Sequence, residues 1–396
     1  QEAFTYRPLQ DWDGKTAQLR VETLDRVELD RVPVRVIGGD LPKDIKLSLS
    51  LSGRELYPEP YDILEGGFTL STPYDSRDGK LRGYSKSQGI YLNARFTGYE
   101  NNITLSSPKS RPWMHIIINA RRFARNAVMS QPEMRDVAGL MAGIAFGYRD
   151  DISQEIKYNF KTVGVTHLLA VSGLHVALLS QALLALLLLI RIPRRGALCI
   201  AGAGVLFFMA LTGFSPSVLR AGIMCLIYLA GQMIRKESDS INSLGFAVFA
   251  ITVVNPFAVN DVGLLLSFAA TFGILVFYPG IRRAAAERLK ALGGRARYLE
   301  KPVDALGITV AATVPTLPVI LFAFGQISLI SPLANLLMVF PASVVMIATC
   351  VAVPLYAVEP LRILSSAAFM AGKWAARYLV AVADWLASMP MASVWA

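Results

Sequence analysis

Between residues 167 and 388 the chain is a succession of apolar runs: 167–190, 196–213, 217–234, 241–257, 261–279, 303–324, 331–357 and 363–388. Each approaches or reaches the roughly 20 residues that an α-helix needs to cross hydrocarbon. Several contain Pro or Gly, which membrane helices tolerate when neighbours satisfy the freed backbone groups. The spacing predicts a polytopic α-helical membrane protein with about eight transmembrane helices. The whole chain agrees, with 54% hydrophobic and only 17% charged residues.

The connections set the topology. Arg191, Arg194 and Arg195 follow the first run, Arg235 and Lys236 the third, and the stretch Arg282–Lys301 the fifth. The alternate connections, 212–216, 255–261 and 325–330, have no basic residue. Basic loops stay on the cytoplasmic side. The three agree in parity, so residues 1–163 and the C-terminus are expected outside. Residues 1–111 are neutral overall and residues 162–396 carry +8 of the net +10. The basic excess therefore belongs to the membrane part, where topology rather than nucleic acid is its usual cause.

Residues 1–110 have β texture. Ala17–Thr23 and Val32–Ile37 alternate with period 2, and Ile45–Leu51 alternates strictly; Gly67–Leu70, Gly89–Phe96 and Ile103–Ser106 are further candidates. Short strands punctuated by Gly38-Gly39-Asp40, Gly66-Gly67 and Asp78-Gly79 suit a small Greek-key barrel of the oligonucleotide/oligosaccharide-binding (OB) type. Its aromatics, Tyr57, Tyr61, Phe68, Tyr74, Tyr84, Tyr91, Phe96 and Tyr99, are either stacking platforms or ordinary core. Residues 111–163 read as amphipathic or interfacial helices. Trp113, Ile116, Ile117, Ala120, Phe123, Ala124 and Ala127 face one way against Arg121, Arg122 and Arg125, while Ala138–Phe146 is too short to span and reads as a second interfacial or a re-entrant helix. Residues 164–396 form the third, transmembrane part. The chain opens on Gln1 with no signal peptide before it, so a leading segment is expected to have been removed or left out.

Polar groups gather at one depth. The stretch Gly164–Val176 holds His167, Ser172 and His175 at the outer mouth of the first span; Arg220, Asp261, and Ser331 with Asn335 stand at the outer starts of the third, fifth and seventh. On a regular helix His167, Ser172 and His175 share an arc of about 140°. Ser217, Arg220, Met224, Tyr228 and Gln232 form a stripe along the third span, Ser267 and Thr271 a shorter one on the fifth, and Thr309, Thr313 and Thr316 another on the sixth. Such hydroxyls are either interhelical contacts or a pore lining. A central arginine is costly, about 2.5–3.5 kcal/mol, so Arg220 should pair with Asp261, grip an anion, or do both in turn. The histidines have no zinc spacing, and Cys199, Cys225 and Cys350 lie in apolar segments. No metal, no cofactor and no enzymatic activity are expected.

Four motifs resemble the ComEC family of competence proteins, the inner-membrane channel for DNA uptake in natural transformation. They are Thr166–Val176 (THLLAVSGLHV), Ser215–Met224 (SPSVLRAGIM), Asn255-Pro256 with Asp261–Ala270 (DVGLLLSFAA), and Ile327–Leu337 (ISLISPLANLL). The third departs from the family at Leu264-Leu265, where an aromatic and a glutamine are more usual. The resemblance implies import of single-stranded DNA across the bacterial cytoplasmic membrane, with an extracytoplasmic OB-like domain at residues 1–110. It also implies partners: a periplasmic or surface DNA receptor, a cytoplasmic motor ATPase and single-strand-binding proteins. His167, Ser172, His175, Arg220, Asp261, Ser331 and Asn335 would then form the outer vestibule, with Ser217, Met224, Tyr228, Gln232, Ser267 and Thr271 lining the path. A cytoplasmic basic loop, Arg282, Arg283, Arg288, Lys290, Arg295 and Arg297, would meet emerging DNA or the motor. The family's β-lactamase-like nuclease domain, with its His/Asp metal cluster, is not expected here. Rival readings are a secondary transporter of a small anion and a non-conducting membrane scaffold.

Overall fold

The computed structural model describes residues 9, 11–24, 31–51, 58, 61–73, 85, 89–97, 104–106, 114–149, 151–169, 171–236, 238–290, 296–324, 326–328, 330–389 and 394–395. It divides into two units, Gln1–Asn119 with Asn255–Asp261, and Ala120–Val254 with Val262–Ala396.

The first unit is built on six strands: β1 (Thr16–Thr23), β2 (Arg31–Gly39), β3 (Lys46–Ser50), β4 (Ile63–Ser71), β5 (Ile90–Phe96) and β6 (Thr104–Ser106). Their order is β1-β2-β3-β5-β4, and β4 pairs back onto β1 to close a five-stranded barrel, with β6 extending the sheet from β4. All pairings are antiparallel except β3 with β5, the crossover expected of an OB-like barrel. Alternation drives the closure. Leu19, Val21, Val32, Val34, Val36, Leu47, Leu49, Leu64, Phe68, Leu70 and Leu92 all point into one core. At the end of β2, paired with Leu19 of β1, Gly39 has φ +112°, and a Cβ there would overlap the Gln18 carbonyl, so only glycine fits.

Of the aromatics weighed as stacking platforms, Phe68, Tyr91 and Phe96 are buried, Phe68 packing on Phe96 at 4.9 Å. Tyr57, Tyr74, Tyr84 and Tyr99 lie outside the described residues. Phe68→Ala is expected to cost about 3–5 kcal/mol of barrel stability, as for other fully buried aromatics. Limited proteolysis of the full chain checks this: cleavage should move into residues 1–110 while the helical unit stays protected.

The second unit is helical: α1 (Met114–Met129, whose first residues belong to the first unit), α2 (Ala138–Phe146), α3 (Gln154–Thr162), α4 (Gly173–Leu189), α5 (Arg194–Leu211), α6 (Pro216–Met233), α7 (Ser240–Val254), α8 (Val262–Lys290), α9 (Ala296–Phe324), α10 (Ser331–Tyr356) and α11 (Arg362–Ala387). Helices α4 to α11 fall on the eight apolar runs. Five, α5, α6, α8, α9 and α10, hold segments long and apolar enough to cross a membrane. Helices α4 and α7, with 17 and 15 residues, are shorter, and α11 carries Arg362, Lys373, Arg377 and Asp384.

Two expectations are corrected. Of the two readings of Ala138–Phe146 the interfacial one fails: all nine residues of α2 are buried, so it has no face to lay in a headgroup layer. Its glycines make this packing possible. A Cβ on Gly139 would overlap the Asp151 carbonyl, and one on Gly143 would stand 2.5 Å from Ile152 Cδ1. Nor are the described residues of Arg282–Lys301 a loop. Helix α8 runs through Lys290, so Arg282, Arg283 and Arg288 are exposed on regular helix, and Arg297 lies in the first turn of α9. Arg295 is outside the described residues. Helices α8 and α9 pack closely because Gly273 lies against the Ala311 carbonyl and Pro315. Tyr278 donates to Asp304 at 3.0 Å further along, with Arg282 Nε 3.8 Å from the same carboxylate.

Candidate functional site

The polar stretch around His167 is not a helical arc. Thr166–Leu169 is a 3-10 turn, the chain is then extended at Ser172, and α4 begins at Gly173. His167 and His175 therefore sit in different surroundings, the first exposed and the second only 1% exposed. Ser172 and His175 close a capping box at the start of α4, the Ser172 N–H donating to His175 Nδ1 at 3.1 Å. Because Nδ1 accepts, the neutral ring carries its proton on Nε2.

Two glycines fix this stretch to the rest of the unit. Gly164 has φ +77°, and a Cβ there would stand 2.8 Å from the Cβ of Ser328 and 2.9 Å from that of Ser331. Ser331 Oγ lies 3.5 Å from the Gly164 carbonyl, and Asn335 Nδ2 lies 3.5 Å from Ser331 Oγ. At the other end, a Cβ on Gly173 would stand 2.9 Å from Arg220 Nη2 and 3.2 Å from the Ala221 Cβ. The start of α10 thus holds one end of the motif, and α6 holds the other.

Arg220, one turn into α6, is 6% exposed. Its Nε donates to Ser267 Oγ at 3.0 Å and its Nη1 to Thr271 Oγ1 at 2.6 Å, both on α8; Nη1 also reaches Met224 Sδ at 3.5 Å. Ser217 and Ser267 hydroxyls meet at 3.0 Å beside it. Every one of these partners is uncharged. Desolvating a guanidinium is expensive, and neutral hydroxyls return only part of that cost. Asp261 is 5% exposed at the end of the 3-10 turn Pro256–Asn260, in the first unit.

Beyond His167, Ser172, His175 and Asp261, the polar residues expected at the mouth and along the path fall into three places. Ser217, Arg220, Met224, Ser267 and Thr271 form one cluster against Gly173. Ser331 and Asn335 join Gly164 instead. Tyr228 and Gln232, the far end of the α6 stripe, open on a different cleft near the start of α5, where Gln232 accepts from Arg194 at 3.2 Å. The hydroxyls of Thr309, Thr313 and Thr316 bond carbonyls of their own helix, the ordinary alternative to a lining. Among the described residues no group of three or more His, Cys, Asp or Glu side chains is placed to hold a metal.

Sequence reasoning missed the part played by Gly164 and Gly173, and the clasp behind them. Arg125 grips Asp151 through two bonds of 2.7 and 2.6 Å, and Tyr148 donates to the Arg121 carbonyl at 2.8 Å. Both arginines lie over the Tyr148 ring, at 5.3 and 5.8 Å from its centroid. The only sequence signal was the Arg121–Arg125 face of α1.

These features define a polytopic helical membrane protein carrying a small OB-like barrel, with a buried cation at the head of its helical unit. The competence protein family model matches residues 144–396, most of the chain, and the chain belongs to that family. It is 26% identical over 326 residues to ComE operon protein 3 of Bacillus subtilis, covering 81% of this chain and 39% of the relative. It is 30% identical over 259 residues to competence protein ComA of Neisseria gonorrhoeae, covering 63% and 35%. An uncharacterised Escherichia coli protein, YcaI, matches at 27% over 214 residues, covering 50% of this chain and 26% of the relative. The chain therefore spans well under half the length of each of these relatives. No solved structure matches it.

Proposed function

We propose that the helical unit is a conduit for single-stranded DNA across the bacterial cytoplasmic membrane during transformation, working with other competence proteins. The observation that carries this is Arg220, a buried cation whose partners are all neutral. A phosphodiester backbone supplies a succession of single negative charges that such a group can hold briefly and release. Membership of the competence family and the names of two relatives support DNA as the anion. In this reading the barrel and both chain ends lie on the extracytoplasmic side, and Ser217, Ser267 and Thr271 orient the guanidinium toward the passing strand.

Binding by the purified full-length chain tests the reading. Labelled single-stranded oligonucleotide should be retained, with affinity falling steeply as salt rises, because each neutralised phosphate releases counterions. Inorganic phosphate or sulfate at equal ionic strength should not compete. Retention of the small anion without the oligonucleotide would point to an anion transporter, and retention of neither to a scaffold.

A further inference from the structure

A second cationic site lies at the opposite end of α6. A cleft of about 710 Å³ opens between the start of α5, the end of α6 and the start of α7. Arg194, Arg195, Arg235 and Lys236 line it, together with Tyr228 and Gln232. Among the described residues no carboxylate lines it and none of the four cations makes an ion pair; the single bond among them is Arg194 to Gln232, and Glu237, between Lys236 and Ser238 in sequence, lies outside the described residues. Among the described residues the neighbouring acid is Asp239, and it is engaged elsewhere, its carboxylate accepting the N–H groups of Ile241 and Asn242 at 2.8 and 2.9 Å to cap α7. The start of α5 adds to the positive potential, since Pro193 offers no side-chain cap and the first turn has no acid.

The backbone is shaped to bring these charges together. Arg235 adopts φ +54°, and the Lys236 N–H returns to the Gly231 carbonyl at 2.9 Å, a closure that usually falls to glycine. Gly231 permits the fold-back, since a Cβ there would stand 2.9 Å from the Lys236 carbonyl. Arg235 and Lys236 are thereby turned over the α6 face that bears Tyr228 and Gln232.

We infer that this cleft binds the headgroup of an anionic phospholipid, and that a headgroup with two phosphates, as in cardiolipin, fits it best. Four cations offer each of two singly charged phosphates a pair of donors and leave the cleft positive when it is occupied. The cleft stands on the side that carries the basic connections, and its surroundings are apolar: Ile234 and Ile241 are more than half exposed, and Leu189 and Ile190 are exposed at the end of α4. Basic pockets between membrane helices on that side suit lipid phosphates. A free strand would gain nothing from that rim, whereas acyl chains would cover it.

Native mass spectrometry of the full chain, purified from cardiolipin-containing membranes, tests the assignment. Cardiolipin should remain bound in preference to phosphatidylcholine. Arg235→Gly should reduce retention about tenfold while leaving thermal stability equal or higher, because glycine suits φ +54° better than arginine does. Arg195→Gln with Lys236→Gln should lower it further, and Arg282→Gln with Arg283→Gln on α8 should not. Equal retention in the Arg235→Gly protein would overturn the proposal. So would displacement of lipid by millimolar inorganic phosphate, which would mark a small-anion site, or by single-stranded oligonucleotide, which would make the cleft part of the conduit.

Discussion

Arg220→Glu should abolish DNA import while the protein remains in the membrane at normal level. At an effective dielectric of about 20, one charge pair at 4 Å is worth about 4 kcal/mol, and reversal turns that attraction into repulsion. A fall in transformation of about three orders of magnitude or more is therefore expected, read in a strain whose import depends on this chain. The informative variant is Arg220→Gln. Glutamine can still bond the hydroxyls of Ser267 and Thr271, so a purely structural arginine would be replaced at little cost. A residue that meets phosphate would not, and import should stay low. Arg220→Lys keeps the charge but loses the forked donors, and should fall between the two. Normal transformation in the Gln variant would remove Arg220 from the path.

How much of this was legible in the sequence depends on the range of the interaction. The strands of the barrel were visible because alternation is local, and Val32–Ile37 and Ile45–Leu51 carry it plainly. Their order was not, since the β1–β4 and β3–β5 pairings join residues dozens of positions apart. The eight helices followed from their apolar runs. The true start of α4 did not, because a 3-10 turn and an extended serine have no hydrophobic period. Whether α2 lies at the interface or inside the protein was not legible for a related reason: nine uniformly apolar residues give no face to orient, and only its contacts show that it is buried all round. At the site, Arg220 and the Ser267/Thr271 stripe were both visible as unusual groups in apolar helices. That they touch depends on the crossing of α6 and α8, and that Ser331 and Asn335 belong to a separate joint depends on α10. Neither helix crossing is written in a spacing.

The two glycines of the motif should fail in different ways. Gly164→Ala meets two obstacles that the chain cannot evade cheaply. An L-residue at φ +77° costs about 1–2 kcal/mol, and the new methyl stands within 3 Å of two Cβ atoms, Ser328 and Ser331, whose positions are set by backbone. Overpacking of that kind costs about 1–3 kcal/mol more. The expected result is a protein destabilised by about 2–5 kcal/mol, visible as a lowered thermal midpoint in detergent. Ser328→Gly should recover part of the loss by removing the nearer contact, leaving the backbone strain. Gly173→Ala is different. Its methyl would meet chiefly Arg220 Nη2, the far end of a flexible side chain, which can move aside. Stability should fall by about 1–3 kcal/mol, because the guanidinium must swing away from Ser267 and Thr271, and import should fall toward the level of Arg220→Gln. If Gly173→Ala instead imports DNA normally despite that loss of stability, the position of the Arg220 guanidinium does not govern passage, and the case for a phosphate contact at that depth fails with it.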